Sequence, residues 1–473
     1  MTTTTHDSWA TLLSGRNGLR SLALAGGVSV HAINVYLVTT ILPSVVQDIG
    51  GLAYYAWNMT LFVMASILGS ALSPKFIQSF GLRNAFIIAM VIFMAGTAGC
   101  AMAPTMPAML VSRTVQGLGG GFLLGLSYSA VRIVFEESLW PRAMVLVSSM
   151  LGVATLIGPT IGGIFAQTGN WRLAFWSVIP VVLLLLVLVC TQIKARPAQS
   201  DEVIRIPIGK LIVLSVSVLI VSWASLAEQW FINAVGLLIA LVLTVLVGRA
   251  DRDSEANLLP QGTYRLGAPL AVYYACVAAL SLAVTIEVFI PYFLQTIHGQ
   301  RPLIAGYFMA SLSFGWTSGS FLSAGRSPQA TQRFVQFGPL VTACALLVLA
   351  VLMPRDLSTV AGTTYWLLIP LVCVGGGICV CWPHLLTRVF HTAPAGQENI
   401  ASAAIITVQL YALALGGALA GMLMNASGMV NPGGVVGAKS ASVVLFLVMA
   451  AGPFFATWLI YRKTSQSAVS TQH

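Results

Sequence analysis

One carboxyl group differs from the others in its surroundings. Glu287 lies within the apolar stretch AVTIEVFIPYF, whereas the other acidic residues lie in polar connections, near the ends of apolar runs or in the tails. An ionisable group inside an apolar helix is a candidate for proton transfer, because it can gain and lose a proton away from bulk water. The alternative is a structural glutamate near the end of its helix that bonds to a neighbour or reaches water.

Two basic side chains also fall inside apolar runs. Arg113 lies in LVSRTVQGLGGG, and His31 lies one helical turn before Asn34, so that both share a face. A buried arginine faces a cavity or a partner, and histidine titrates near physiological pH. We predict that Glu287 and His31 take part in proton coupling and that Arg113 is functional, in a role that the family resemblance described below implies to be proton coupling as well. The alternatives are an arginine that bridges backbone carbonyls and a core histidine bonded to one.

The composition indicates a membrane protein. The chain of 473 residues is 57% hydrophobic and 8% charged, far below the charged fraction of about a quarter that is usual in soluble proteins. Its net charge of +10 comes from basic residues scattered singly between apolar runs, which argues against nucleic-acid binding. The seven cysteines lie within apolar runs without metal-ligand spacing, so we expect neither a metal nor another cofactor.

Apolar runs of membrane-spanning length recur along the whole chain. A hydrocarbon core of about 30 Å needs about 20 residues of helix. Fourteen runs meet this length approximately, and they predict an all-α integral membrane protein with 14 transmembrane helices. The runs are 21–42, 52–73, 84–103, 107–130, 142–166, 171–193, 209–226, 230–248, 266–292, 302–323, 333–352, 362–387, 400–424 and 438–461.

The basic residues predict the orientation. With a cytoplasmic N-terminus, eighteen lysines and arginines fall in inside connections and tails, among them Arg196 and Arg205. The outside connections then hold only Arg172, Arg301, Arg355 and Lys439. This asymmetry fits the positive-inside rule, and it favours an even number of spans with both termini in the cytoplasm.

The stretch around Arg113 resembles the major facilitator superfamily. Its fourth-helix pattern Arg-x-x-Gln-Gly is matched by Arg113, Gln116 and Gly117. Gly117, Gly121 and Gly125 repeat on one helix face, where small residues let two backbones approach closely. The fifth-helix antiporter pattern Gly-Pro-x-x-Gly-Gly is matched by Gly158, Pro159, Gly162 and Gly163.

Three further stretches resemble the fourteen-helix drug:proton antiporter branch of that superfamily. They are GNWRLAFWSVIP, IPYFLQTIHGQRPLIAG and the Leu-Pro ending of the first run. Two positions depart from the branch. Asn34 stands where the branch usually has an aspartate in the first helix. The cytoplasmic loop between the second and third helices normally carries the loop motif Gly-x-x-x-Asp-Arg-x-Gly-Arg. Here that motif keeps Gly81 and Arg83 but has Gln78 in place of the aspartate. These departures leave a first-helix proton site and the charge relay of the loop open.

The resemblance implies two six-helix halves, at about 21–193 and 266–461. The segment 194–265 then contains cytoplasmic connections and two inserted helices, between cytoplasmic tails at 1–20 and 462–473. Glycine-rich runs sit where the fourth and fifth helices would repeat, at Gly375 to Gly377 and at Gly416, Gly417 and Gly421. The Gly158 to Gly163 run would let the fifth helix bend and pack against its counterpart in the other half.

A substrate pocket is expected at the membrane midplane between the halves. Polar and aromatic residues within the runs could line it, although aromatic residues in membrane helices more often pack or lie at the interface. The candidates are Asn34, Tyr36, Trp57, Asn58, Gln116, Tyr128, Tyr273, Tyr292, Gln295, Trp316, Trp382, Gln409 and Tyr411.

The predicted function is efflux of small amphipathic compounds across the inner membrane, driven by the proton gradient through rocker-switch alternating access. The expected partners are a small-molecule substrate and the lipid bilayer, with the chain as a monomer. Asn34 and Gln78 motivate an alternative with the same fold, a uniporter or an exporter of an anionic metabolite, lipid or siderophore. An enzyme is disfavoured, because the sequence has no nucleophile elbow, metal spacing or phosphate loop.

Overall fold

The computed structural model describes residues 9–194, 206–227, 229–252, 254, 257–265, 267–356, 363–395 and 397–470. These ranges contain helices, turns and bends and no strand, so the prediction of an all-α chain is confirmed. Parts of the predicted tails and of the segment 194–265 lie outside the described residues, as do Arg196 and Arg205 of the predicted inside connection.

The first group of helices precedes the segment 195–205. A short helix α1 comes before five long apolar helices, which bury small and aliphatic side chains against one another. Their bounds are α1 Trp9–Leu13, α2 Gly15–Ile49, α3 Trp57–Met102, α4 Met106–Val134, α5 Trp140–Gln167 and α6 Trp171–Gln192.

The second group begins with the predicted inserted pair and continues to the end of the described chain. The inserted helices are α7 Ile208–Ala224 and α8 Trp230–Arg252. The remaining helices are α9 Pro269–Val284, α10 Ile290–Thr296, α11 Pro302–Ser323, α12 Pro328–Leu352, α13 Leu368–Thr392, α14 Glu398–Ala426 and α15 Gly434–Ser470.

Each predicted apolar run coincides with helical structure. Eleven described helical segments are long and apolar enough to cross a membrane. One of them, Leu52–Met102, contains two predicted runs, because α3 is interrupted at Gly81 by a positive φ of 73°. The shorter α7 and the less apolar α11 carry the other two runs. The exact number of fourteen crossings stays a prediction.

The ninth predicted run differs from the expected continuous helix. α9 ends at Val284, a single 3₁₀ turn covers Thr285–Val288, and α10 begins at Ile290. Pro291 explains the break, because proline has no N–H to donate to the carbonyl of Glu287 four residues earlier, and its ring clashes with that carbonyl. The helix is therefore interrupted at the predicted proton carrier.

The described chain divides into two compact units. The first comprises the described residues of Met1–Gly50 and Leu61–Ile206, and the second comprises those of Gly51–Thr60 and Pro207–His473. The inserted pair thus groups with the C-terminal helices. The stretch Gly51–Thr60 also groups with them, although the sequence prediction placed it in the N-terminal half. Its aromatic side chains explain the difference, since Tyr55 packs on Phe289.

Glycines bring helices into close contact within each unit. In the first, a Cβ added at Gly117 or Gly121 of α4 would overlap the carbonyl oxygen of Phe62 or Ser66 on α3, which confirms the close approach predicted for this face. In the second, a Cβ at Gly375 of α13 would overlap a carbonyl oxygen of α11. The glycine run at Gly375 therefore repeats, in α13, the packing role of the run in α4.

A buried carboxylate joins the ends of the inserted helices. Asp251, at the end of α8, is fully buried and accepts hydrogen bonds from Lys210 Nζ of α7 at 2.5 Å and from the Tyr264 hydroxyl at 2.6 Å. It also accepts from the backbone N–H groups of Leu258 and Leu259. Burial and the neighbouring Asp251 carboxylate raise the pKa of Tyr264 well above its usual range. The connection after α8 is thus folded back onto that helix.

Candidate functional site

The predicted intramembrane arginine lies at the centre of a polar cluster in the first unit. Arg113 is fully buried on α4, and its Nη1 donates to Asn34 Oδ1 at 2.5 Å and to Gln116 Oε1 at 2.6 Å. Its guanidinium carbon lies 4.2 Å from the centroid of the Phe62 ring. A buried charge is costly unless it is hydrogen-bonded, and these amide oxygens together with the ring face compensate part of that cost.

Gln116 uses both ends of its amide within this cluster. Its Nε2 donates to Thr97 Oγ1 at 2.8 Å, and its Oε1 also lies 3.8 Å from the Cys100 thiol. Gln116 and Asn34 are fully buried. The structure brings both to Arg113, and their predicted contact with substrate stays a prediction. We call this group the arginine cluster; it consists of Asn34, Thr97, Cys100, Arg113 and Gln116.

The sequence interpretation missed Thr97 and Cys100. Both lie in the second part of α3, within the small-residue stretch AGTAGCAM. Close packing there is a signal that could have pointed to them, since Gly96 allows α3 to touch the backbone of Gln116 on α4. A polar side chain one position from such a glycine is placed to reach the facing helix.

His31 lies beside the arginine cluster. Its ring centroid is 5.2 Å from that of Phe62, the same ring that Arg113 covers. An added Cβ at Gly120 would lie 2.8 Å from His31 Nδ1, so the glycine leaves room for the imidazole. This nitrogen is buried and has no hydrogen-bond partner among the described residues. The structure thus places two of the three predicted proton-coupling residues around one aromatic ring.

The predicted antiporter motif lies on α5 and faces α2. A Cβ at Gly158 would lie 2.6 Å from Tyr36 Cβ and 2.9 Å from the Ile33 carbonyl oxygen, and one at Gly162 would lie 2.8 Å from the Leu37 carbonyl oxygen. Both glycines therefore pack closely on α2 within the first unit, and the expected packing against a counterpart in the other half stays a prediction. Pro159 and Gly163 are buried beside them.

The loop motif has a conformational role at Gly81. Its φ of 73° lies in the left-handed region that favours glycine, and this residue separates the two helical parts of α3. Gln78 and Arg83 are half-buried on either side of it. Whether this loop forms a charge relay, which the departure at Gln78 leaves open, stays a question for experiment.

Glu287 occupies the 3₁₀ turn in the second unit. Glu287 is half-buried as a residue, while Ile286 and Val288 on either side are buried. Among the described residues nothing donates a hydrogen bond to this carboxyl or forms an ion pair with it. The preceding Thr285 packs on α14, where a Cβ at Gly416 would lie 2.8 Å from its methyl carbon. The break therefore presents a carboxyl without a fixed partner in the described chain.

The other candidate substrate residues fall into separate groups. In the first unit, Tyr36 is half-buried and the Tyr128 hydroxyl lies 3.4 Å from Ser148 Oγ. In the second unit, the rings of Trp316 and Trp382 lie 5.5 Å apart between α11 and α13.

Three further candidates lie on α10 and α14 of the second unit. Tyr292 is buried against Tyr55 and Phe293. Gln295 and Gln409 are half-buried. Within the described ranges, no group of three His, Cys, Asp or Glu side chains is arranged to hold a metal ion.

Comparisons with known proteins find similar transporters. Residues 24–420 match the family model described as Major Facilitator Superfamily. A probable multidrug-efflux transporter of Mycobacterium tuberculosis is 34% identical over 462 residues, which span 95% of this chain and 96% of the relative. The tetracenomycin C resistance and export protein of Streptomyces glaucescens is 25% identical over 445 residues, which span 90% of this chain and 80% of that relative.

Solved structures of transporters share the fold at low sequence identity. A POT family transporter in complex with 5-aminolevulinic acid has a TM-score of 0.68 and 14% identity, with coverage of 94% of this chain and 96% of that chain. A D-xylose-proton symporter has a TM-score of 0.62 and 13% identity, with coverage of 92% and 97%. These two likenesses support the fold alone.

Proposed function

Because the chain belongs to the Major Facilitator Superfamily, which matches residues 24–420, we propose that it exports small amphipathic compounds across the inner membrane. The chain is a transport protein and not an enzyme. The observation that carries the proposal is the 34% identity to a probable multidrug-efflux transporter over 95% of this chain. The similarity to a tetracenomycin C resistance and export protein also supports export.

Proton entry is the proposed energy source, and Glu287 is the proposed carrier. Two features support this role: the helix is interrupted at Glu287, and the carboxyl of Glu287 has no hydrogen bond within the described ranges. Such a group can exchange a proton without first losing a fixed partner. Arg113 and His31 are proposed to assist from the first unit, where both contact the ring of Phe62.

The proposed cycle is rocker-switch alternating access by a monomer with both termini in the cytoplasm. The orientation is supported by the excess of basic residues in the inside connections. The glycine contacts within each unit support rigid bodies that move as wholes, since tightly packed helices resist internal rearrangement.

An anion exporter or uniporter is the second candidate. The observation in its favour is that Asn34, an amide that does not titrate, accepts from Arg113 where relatives in this branch usually have an aspartate. Under this alternative, the arginine cluster would attract the negative charge of a metabolite, lipid or siderophore, and no carboxyl would be needed for coupling.

The test uses purified protein in liposomes with an internal pH dye and an imposed proton gradient. Ethidium, a neutral hydrophobic dye and carboxyfluorescein are supplied in turn. We expect substrate-dependent proton flux with the wild-type chain and its loss in Glu287→Gln, with substrate binding retained. The matched control is Glu137→Gln, because Glu137 is exposed in the short turn before α5.

The outcomes separate the two candidates. Loss of proton flux only in Glu287→Gln supports a proton antiporter with this carrier. Proton flux that is unchanged in Glu287→Gln removes the assignment of the carrier. Movement of carboxyfluorescein without any proton flux would replace the leading proposal with the anion exporter or uniporter.

A further inference from the structure

Thr97, in the second part of α3, is fully buried and makes two hydrogen bonds through one hydroxyl group. It donates to the Phe93 carbonyl oxygen of its own helix at 2.7 Å, a bond that a helical threonine often makes four residues back. It also accepts from Gln116 Nε2 of α4 at 2.8 Å. A hydroxyl has a single proton, so the bond to Phe93 leaves Thr97 Oγ1 with only lone pairs to offer to Gln116.

The lone pairs of Thr97 Oγ1 decide which end of the Gln116 amide faces this threonine. The NH₂ end points to Thr97, and the carbonyl oxygen therefore points to Arg113 Nη1, 2.6 Å away. The Cys100 thiol donates to the same oxygen at 3.8 Å. A reversed amide would set its NH₂ group against the guanidinium and the thiol, and its oxygen against the lone pairs of Thr97. Only one orientation of Gln116 satisfies all four side chains.

Two glycines bring Thr97 within reach of α4. A Cβ added at Gly96 would overlap the backbone nitrogen of Gln116, and one at Gly119 would overlap the backbone nitrogen of Phe93. The backbones of α3 and α4 are therefore in contact beside Gln116 and again about one helical turn away. Branching at Cβ also restricts the Thr97 side chain to few rotamers. The hydroxyl is thus held in place by its own helix and by the packing of the next.

We propose that Thr97 is a positioning residue, which fixes the amide of Gln116 so that its carbonyl oxygen faces Arg113. The guanidinium is then held in one geometry by two amide oxygens, those of Asn34 and Gln116. Without the hydroxyl of Thr97, nothing in this accounting prevents the amide from turning over. The positioning role rests on the proposed proton coupling, to which Arg113 contributes.

The Cys100 thiol reports the orientation of the amide without any transport assay. Its S–H stretching band lies at lower frequency when the thiol donates to an oxygen than when it does not. Because the chain has seven cysteines, the band is isolated in purified protein by subtracting the infrared spectrum of the same protein with Cys100→Ala. We expect Thr97→Val to move this band to higher frequency. Thr97→Ser should leave it in place, because serine keeps the hydroxyl.

Thr40→Val is the matched control for the loss of a threonine hydroxyl. Thr40 is also fully buried in a helix, and its hydroxyl donates to the Tyr36 carbonyl oxygen at 2.8 Å. Its exchange removes the same kind of bond to the preceding turn but leaves the amide of Gln116 untouched, so the Cys100 band should stay in place. If Thr97→Val leaves the band unmoved, or if Thr40→Val moves it as far, the proposal is wrong.

Transport in liposomes then tests what the fixed amide contributes. The maximal rate of ethidium-dependent proton flux should fall about tenfold in Thr97→Val, because a hydrogen bond to the charged Arg113 is lost. The Michaelis constant for ethidium should stay unchanged, and Thr97→Ser should restore the rate. A shifted band with an unchanged rate would overturn the positioning role in transport. If the wild-type chain moves no probe, the proposed export function fails, while the infrared spectra still decide whether Thr97 orients Gln116.

Discussion

Replacement of Arg113 by lysine separates the charge of this residue from its geometry. Lysine keeps the positive charge, but it lacks the planar group that both covers Phe62 and donates to Asn34 and Gln116. A hydrogen bond to a charged group contributes about 1.5–3 kcal/mol, and a desolvated cation–π contact contributes up to about 2 kcal/mol. The ammonium can still reach one amide oxygen, so we expect the free energy of unfolding to fall by about 2–4 kcal/mol.

The measurement is the denaturation midpoint in detergent together with ethidium efflux from liposomes. Arg132→Lys is the matched control, because Arg132 lies exposed in the last turn of the same helix. Its exchange should change the free energy of unfolding by no more than about 0.5 kcal/mol. If Arg113→Lys and Arg132→Lys denature at the same midpoint and transport ethidium equally, the guanidinium geometry of the arginine cluster contributes neither to stability nor to transport.

Two further predictions compare buried positions with exposed ones. Gly158→Leu should reduce folded yield and abolish efflux, because even the Cβ of the new side chain would lie 2.6 Å from Tyr36 Cβ. The control is Gly152→Leu on the same helix, where an added Cβ meets open space. Equal efflux in the two variants would contradict the packing argument. Asp251→Asn should lower the free energy of unfolding by about 3–5 kcal/mol, because it removes the charge beside Lys210. Asp48→Asn, which breaks an exposed pair, should cost no more than about 1 kcal/mol by the same denaturation assay.

Much of the fold could be predicted, because the length of an apolar run and the spacing of glycines are both properties of a single helix. Each predicted run lies on helical structure, and the glycines from Gly117 to Gly121 do bring α4 against α3. Both signals depend on a few turns of one helix, so a single sequence contains them. The position of Arg113 in an apolar run likewise predicted that it is buried and has polar partners.

The residues that complete the arginine cluster around Gln116 could not be predicted in the same way. Thr97 and Cys100 reach Gln116 only because α3 and α4 approach closely, and the side of a helix that a lone threonine faces depends on tertiary packing. The burial of Asp251 depends on a connection that folds back to place Tyr264 over it. The interruption at Glu287 did have a local signal in Pro291, four residues later, which the interpretation of 266–292 as one continuous run overlooked.

The departure at position 34 bears directly on where a proton can be carried. An amide at Asn34 satisfies Arg113 as a hydrogen-bond acceptor, but it does not titrate, so the exchange of aspartate for asparagine keeps the geometry and removes the proton site. Beside the arginine cluster, the imidazole of His31 remains as a group that can accept a proton on its buried Nδ1. Proton coupling through a carboxyl would have to use Glu287, which lies in the other unit. If transport proves independent of both His31 and Glu287, the asparagine marks a chain that moves its substrate without protons.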